Sequence, residues 1–229
     1  MKYYKIQYIT DKKLIGASYP QCTNILDEYK VDTNLAAERL MDYEDNPTPL
    51  ADKITLEGLI VKSKMLTDVI SSTIVRNNTF IVSKVFLKEF NSSLFGAGEC
   101  VNILNSNVSV YWKSDKADYK IIRVLPINYE SYIDFDKSTF YAGIGGLGDD
   151  IGFKSYKDFV FKNKNDVRWS MVFGKTIVFK KKLNLDIVQF GKICRKTFVS
   201  EKFKIWYLSN KFTGLDFIEA GNDEYLTCS

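Results

Sequence analysis

Phe80-Ile81-Val82-Ser83-Lys84-Val85-Phe86, running on to Phe90 and Phe95, decides the fold once it is set beside Phe198-Val199-Ser200-Glu201-Lys202-Phe203, running on to Tyr207 and Phe212. Val82 matches Val199, Ser83 matches Ser200, Phe86 matches Phe203, Phe90 matches Tyr207 and Phe95 matches Phe212, all at an offset of 117. Each copy is the same physical unit. A β-type residue leads into a serine whose hydroxyl caps a helix, and the helix carries aromatics at i and i+4 on one face. The first copy predicts a helix to about Phe90 with Val85, Phe86 and Phe90 inward. The second predicts a helix from Glu201 to about Leu208, stopped by Gly214 and followed by a strand at Leu215–Ile218. The chain therefore reads as one domain over 1–229, or as two related subdomains, 1–115 and 116–229, left by a degraded duplication.

Working outward, Tyr4, Ile6 and Tyr8 alternate with Lys5 and Gln7, which predicts a half-buried strand. Asp32 or Thr33 is placed to cap a helix from Asn34 to about Tyr43, with Leu35 and Leu40 inward. Strands are expected at Ile54–Lys62, 100–112, Lys120–Ile127 and Tyr132–Phe135, and Phe80–Val82 is a compact apolar triplet. Asp158–Phe161, Val167–Phe173 and Thr176–Lys180 read as lysine-interleaved strands, and Leu185–Phe190 as a short apolar element. The predicted fold class is α+β, sheet-rich, with short Ser-capped helices.

Composition removes several chemistries. Of 229 residues, 45% are hydrophobic and none is histidine. Ser-His-Asp and Cys-His catalysis and His-ligated zinc are excluded. The cysteines, Cys22, Cys100, Cys194 and Cys228, lie far apart, so no metal knuckle forms along the chain. Scattered thiols fit a reducing compartment, where they are buried or incidental. The first residues, Met1 to Ile9, hold lysine and glutamine within them and no signal-like apolar run, and no stretch reaches the ~18 apolar residues of a membrane span. The expectation is a cytoplasmic protein with no cofactor and no metal.

The net charge of +4 hides an asymmetry. Residues 1–150 hold 17 basic and 20 acidic residues, 151–211 hold 15 and 4, and 212–229 hold 4 acidic residues alone. The basic segment contains Lys162, Lys164, Arg168, Lys175 and the run Lys180-Lys181-Lys182. It reads as a solvated face paired by the acidic part of the chain, as a surface for an acidic protein, or as a nucleic-acid contact. Its aromatics, Tyr156, Phe159, Phe161, Trp169, Phe173 and Phe179, fit a strand core better than base stacking.

Two further patterns stand in the sequence. Gly143, Gly145 and Gly148 spell G-x-G-x-x-G, but the preceding segment is a poor buried strand and Asp149-Asp150 would repel a pyrophosphate. A glycine loop is the better reading. Asp134 and Asp136, on one face of the expected strand, form a carboxylate pair that could hold a divalent cation.

Several blocks then line up in order. Lys64 to Ser72 precedes the Val82-Ser83 helix. Tyr119-Lys120-Ile121-Ile122-Arg123-Val124-Leu125 leads to Tyr132-Ile133-Asp134-Phe135-Asp136-Lys137-Ser138-Thr139-Phe140. Phe198-Val199-Ser200-Glu201-Lys202-Phe203 is followed by Thr213-Gly214-Leu215-Asp216-Phe217. In this order the chain resembles the bacterial polymorphic-toxin immunity proteins, families eleven and forty-three and their relatives, over roughly residues 60–140 and 195–220. Their patterns are Y-I-D-F-x-K-S-x-F and V-S-E-K-F…T-G-L-x-F. The resemblance implies a small, cytosolic, non-catalytic protein that binds the C-terminal domain of a cognate toxin one to one. It carries over no catalytic residue.

The contact surface has two candidates. One is the basic set Lys162, Lys164, Arg168, Lys180, Lys181 and Lys182, and the other is the acidic stretch Asp42, Glu44 and Asp45 before Pro47 and Pro49. The basic face is favoured, against a toxin surface that is acidic. A nucleic-acid-binding module and a carboxylate–metal enzyme that reverses toxin damage are the rival readings.

Overall fold

Val-, Ile- and aromatic-rich runs form strands throughout the described residues, and Ser83 and Ser200 cap the two helices that carry aromatics at i and i+4. The computed structural model describes residues 1–15, 19–42, 53–75, 78–92, 95, 100–142, 150–165, 172–191 and 193–228. In chain order the elements are β1 (Lys2–Tyr8), α1 (Lys12–Ile15), β2 (Cys22–Ile25), a 3-10 turn (Asp27–Tyr29), α2 (Lys30–Asp42), β3 (Ile54–Val61), β4 (Val69–Ile70) and β5 (Thr79–Ser83). Next come α3 (Lys84–Ser92), β6 (Val101–Ile103), β7 (Ser106–Trp112), β8 (Asp115–Val124), α4 (Tyr129–Tyr132), β9 (Thr139–Ala142) and β10 (Asp150–Ile151). The chain continues with α5 (Tyr156–Asn165), β11 (Val172–Val178), β12 (Ile187–Phe190), β13 (Cys194–Ser200), α6 (Glu201–Ser209), β14 (Leu215–Asn222) and β15 (Tyr225–Thr227). The fold is α+β and sheet-rich. No helix among the described residues is long and apolar enough to cross a membrane.

Two sheets face each other. One has the order β10-β9-β11-β15-β14-β1-β13-β12, and the other β2-β3-β7-β8-β5-β4 with β6 beside β8. Alternation splits each strand between two cores. Tyr4, Ile6 and Val199 from the first sheet meet Phe80, Val82, Ile122 and Val124 from the second in a central layer. Their neighbours point outward. Tyr3, Val188 and Phe198 join Phe135, Phe140 and Phe159 on one outer face, while Ile81, Ile121 and Val110 join Ala37 and Leu40 of α2 on the other.

The central layer holds both repeated units. Phe86 and Phe90 of α3 stack with each other and meet Trp206 and Phe212 at ring distances of 4.9–6.0 Å, and Phe95 meets Phe203 at 5.2 Å. The capping chemistry is also duplicated. Ser83 Oγ accepts the Phe86 N–H at 3.1 Å, and Ser200 Oγ accepts the Phe203 N–H at 3.2 Å. Each serine hydroxyl donates to an aspartate just before the preceding strand: Ser83 to Asp68 at 2.9 Å, Ser200 to Asp186 at 2.5 Å. Each serine N–H donates to the same aspartate's carbonyl, at 2.7 and 2.9 Å. Strand orientations agree as well. β8 lies antiparallel to β5 and β7, and β1 takes the corresponding place, antiparallel to β13 and β14.

Several expectations are corrected. Residues 158–161 are helical, not a strand, because Ser155 Oγ accepts the Asp158 N–H and Asp158 Oδ2 accepts the Lys154 N–H, a reciprocal cap. Tyr132–Phe135 is the end of α4 and a turn, begun by an Asn128 cap on the Ser131 N–H. The predicted strand over 100–112 is two strands, and Lys120–Ile127 ends at Val124. α2 starts at Lys30, and Thr33 binds Glu57 of β3 through both its N–H (3.0 Å) and its carbonyl (2.8 Å) rather than capping. Leu35 and Val85 face solvent, 55% and 63% exposed, so the inner stripes are narrower than expected.

Candidate partner-binding surface

Lys180-Lys181-Lys182 sits in the connection between β11 and β12. The backbone around it is held from three sides. The Phe179 and Leu183 N–H groups donate to the carbonyls of Glu224 and Asp223, in the turn between β14 and β15, each at 2.8 Å. The Lys180 N–H donates to the Tyr132 carbonyl at 2.9 Å, and Ile133 bridges Phe179. The Tyr3 hydroxyl, fully buried, is shared between the carbonyls of Leu183 (2.9 Å) and Leu185 (2.7 Å). Burial pushes the Tyr3 phenol well above its ordinary range, so it stays a donor.

Phe179 and Leu183 anchor the connection in the core, and the three lysines between them are exposed. Lys180 Nζ donates to the Glu130 carbonyl at 2.8 Å, and Lys181 Nζ lies 4.4 Å above the Tyr132 ring. Neither contact cancels charge. Lys182 contributes to holding Asp223 below the ordinary carboxylate range, an effect led by the Met1 ammonium at 3.1 Å. None of the three makes an ion pair within 4.0 Å among the described residues. A rigid loop thus presents three ammonium groups to solvent, and little conformational entropy is left to lose on contact.

The first resemblance block builds this loop. Ser138 Oγ accepts the Val178 N–H at 2.9 Å and donates to the Asp134 carbonyl at 2.7 Å, while the Asp134 N–H donates to the Val178 carbonyl at 2.9 Å. The second block builds the frame. The Thr213 N–H and hydroxyl donate to Asp68 Oδ2 at 3.0 and 2.9 Å, across 145 residues. Gly214 has φ +112°, and a Cβ there would lie 2.0 Å from the Val69 carbonyl oxygen.

The other predicted residues are placed elsewhere. Lys162, on α5, pairs with Asp158 at 3.4 Å and covers the Phe153 ring. Lys175 pairs with Asp150 at 2.9 Å. The side chains of Lys164 and Asp42, and Arg168, Glu44 and Asp45 entirely, lie outside the described residues, as do Gly143–Gly148, Asp149 and Trp169. Asp134 and Asp136 are in a turn, not on a strand face. Lys137, 3.1 Å from the Asp134 carboxylate, holds it below the ordinary range. Among the described residues no cluster of three Cys, Asp or Glu is placed to hold a metal. Phe159 and Phe179 are buried, Tyr156 packs on Tyr129 and Phe135, and Phe173 lies between Tyr141 and Arg195. Of this aromatic set, only Phe161 is largely exposed among the described residues.

Sequence reading missed the residues that anchor the loop: Tyr3, Glu130, Tyr132, Asp223 and Glu224. One signal was available in the 4 acidic residues of 212–229, which follow the basic segment and include the two that clamp its lysine run. An open groove of about 710 Å³ lies between β2 and α2, lined by Asp27, Lys30, Asn34 and Glu38 among others, with charges of both signs. No protein-family model matches the chain, and no curated protein does.

Proposed function

We propose that this chain is an immunity protein that binds a cognate toxin domain one to one in the cytoplasm and neutralises it without catalysis, using Lys180, Lys181 and Lys182 against an acidic surface. The observation that carries this reading is the position of the Tyr132–Phe140 block. Tyr132, Asp134 and Ser138 of that block hold one side of the lysine loop, beside Tyr3, Asp223 and Glu224 from outside it. A framework motif under an exposed, charged loop suits a family that keeps its scaffold and varies its contact surface. Complementary charge would steer encounter, and a stable complex would bury about 1,600 Å² in total. The buried state of Phe159 and Phe179 favours this reading over a base-stacking one.

The test is co-expression with the C-terminal domain of the protein encoded immediately upstream, scored by pull-down and by survival. A stoichiometric complex with restored growth is the expected result. Rescue without a complex would favour an enzyme that repairs damage. Absence of both complex and rescue for that pair would remove the reading and bring nucleic-acid binding forward.

A further inference from the structure

The repeated unit is longer than its two serine-capped helices. The short helices α1 (Lys12–Ile15) and α4 (Tyr129–Tyr132) lie at the same offset of 117. Each receives the backbone of a lysine-bearing connection: the Lys64 N–H donates to the Ile15 carbonyl and the Lys180 N–H to the Tyr132 carbonyl, both at 2.9 Å. Tyr119 of β8 donates its hydroxyl to the Thr67 carbonyl at 2.9 Å, as Tyr3 of β1 does to the Leu185 carbonyl at 2.7 Å. Val61-Lys62-Ser63-Lys64-Met65 therefore stands in the first unit where Phe179-Lys180-Lys181-Lys182-Leu183 stands in the second.

The two loops differ in what they show to solvent. In the second unit Leu183 is 1% exposed, and α4 presents Glu130 and Ser131. In the first unit Met65 is 41% exposed, and Lys13 and Leu14 take the places of Glu130 and Ser131, with Leu14 60% exposed. The scaffold accepts a serine at the Leu14 position, so packing does not call for an apolar residue there. Lysines stand beside both side chains. Lys12, Lys13 and Lys64 are exposed, and Lys113, in the turn between β7 and β8, lies with its Nζ 4.2 Å over the Trp112 ring. Trp112 Nε1 donates to the Ser63 carbonyl at 2.6 Å, which ties that turn to the loop. Asp11 and Asp115 are the carboxylates of these segments, and Asp11 accepts the Lys13 N–H at 2.8 Å. Among the described residues none of these four lysines makes an ion pair.

We propose that this face docks on an anionic lipid bilayer as a peripheral contact. The ammonium groups meet the headgroup phosphates, and Leu14 and Met65 enter the boundary between headgroups and acyl chains. Trp112 is covered by Lys113 and its N–H is already bonded, so a nucleic acid finds no free ring in these segments to stack on. The lysine run of the second unit offers charge without the apolar side chains, because Leu183 is turned into the core. Each lysine close to an anionic bilayer strengthens partitioning by about five-fold.

Flotation of the full chain with vesicles of phosphatidylcholine alone, and of phosphatidylcholine with about 30% phosphatidylglycerol, tests this. The chain should float with the anionic vesicles only, and added salt should release it. Lys64→Ala/Lys113→Ala should weaken partitioning by about 25-fold, while Lys180→Ala/Lys182→Ala, the same change in net charge on the other loop, should weaken it by less than about 3-fold. Leu14→Ser/Met65→Ser keeps every charge and should weaken it by about 5-fold or more. All three variants should keep the wild-type urea midpoint, because the altered side chains are exposed. Binding to neither vesicle, equal binding to both, equal losses from the two lysine pairs, or undiminished binding by Leu14→Ser/Met65→Ser would overturn the proposal. No vesicle binding, with capture of an acidic protein weakened by Lys64→Ala/Lys113→Ala, would make the face a protein contact and overturn it too.

Discussion

Asp68→Ala removes three accepted hydrogen bonds at once. The Ser83 hydroxyl at 2.9 Å, the Thr213 N–H at 3.0 Å and the Thr213 hydroxyl at 2.9 Å all lose their acceptor. Bonds to a charged acceptor contribute roughly 1.5–3 kcal/mol each, and bonds to one carboxylate are not additive. A loss of about 3 kcal/mol is expected. Asp186→Ala is the internal comparison, because Asp186 occupies the equivalent place in the second unit. Among the described residues its carboxylate binds its own cap, Ser200 at 2.5 Å, and a mostly exposed Lys202 at 3.2 Å. Its loss should cost about 1.5 kcal/mol, since an exposed ion pair adds ~0–1 kcal/mol. Equilibrium urea unfolding of both variants reads the difference at constant slope. A cycle with Thr213→Ala should show about 1 kcal/mol of coupling to Asp68 and none to Asp186. An Asp68→Ala variant within ~0.5 kcal/mol of wild type, or one that costs no more than Asp186→Ala, would refute this role of Asp68.

Gly214→Ala should leave little soluble folded protein, because its Cβ would meet the Val69 carbonyl oxygen at 2.0 Å and φ is +112°. Wild-type yield and midpoint would contradict that. Tyr3→Phe should lower stability by about 1–2 kcal/mol by leaving the Leu183 and Leu185 carbonyls unpaired, and should speed hydrogen exchange in residues 180–186. Unchanged exchange there would detach Tyr3 from the lysine loop. The Cys22 thiol is pushed up to about 11 by burial, against an ordinary value of 9.0. The unfolded thiol ionises first, so this contribution is full below pH 9 and is lost as pH rises towards 11, by up to roughly 3 kcal/mol. Stability of wild type minus Cys22→Ala should fall across that window, and a flat difference would show that the site carries no such linkage.

The repeated unit was legible because its signals are local. A serine cap and aromatics at i and i+4 determine the entry and inner face of α3 and α6 without help from the rest of the chain. The aspartates that hold those caps are hidden in the sequence by their spacing. Asp68 and Asp186 are 118 apart, one more than the serines, so a fixed offset of 117 steps past them. α5 was misread because Tyr156, Phe159, Val160 and Phe161 have high β-propensity, although Ser155 and Asp158 carried the reciprocal-cap pattern that overrides it. Val85 shows the limit of periodicity. It lies on the apolar flank of its helix, yet the facing helix packs on Phe86 and Phe90 through Trp206 and leaves Val85 outside. At the candidate surface the lysine run was visible as a run of charge. Its clamps were not, because Tyr3, Tyr132 and Glu224 reach it only through tertiary contacts that no local spacing encodes.

The clamped lysine loop is proposed as the toxin-facing surface, and association kinetics read that placement. The partner is the C-terminal domain that co-purifies with the chain, and its association rate is measured against salt concentration for wild type and for Lys180→Glu/Lys181→Glu/Lys182→Glu. Association of the triple variant should be slowed by about 10-fold or more at low salt, with the salt dependence weakened or inverted and little change in folding stability. Equal rates and equal salt slopes for the two proteins would contradict it and move the contact to another face.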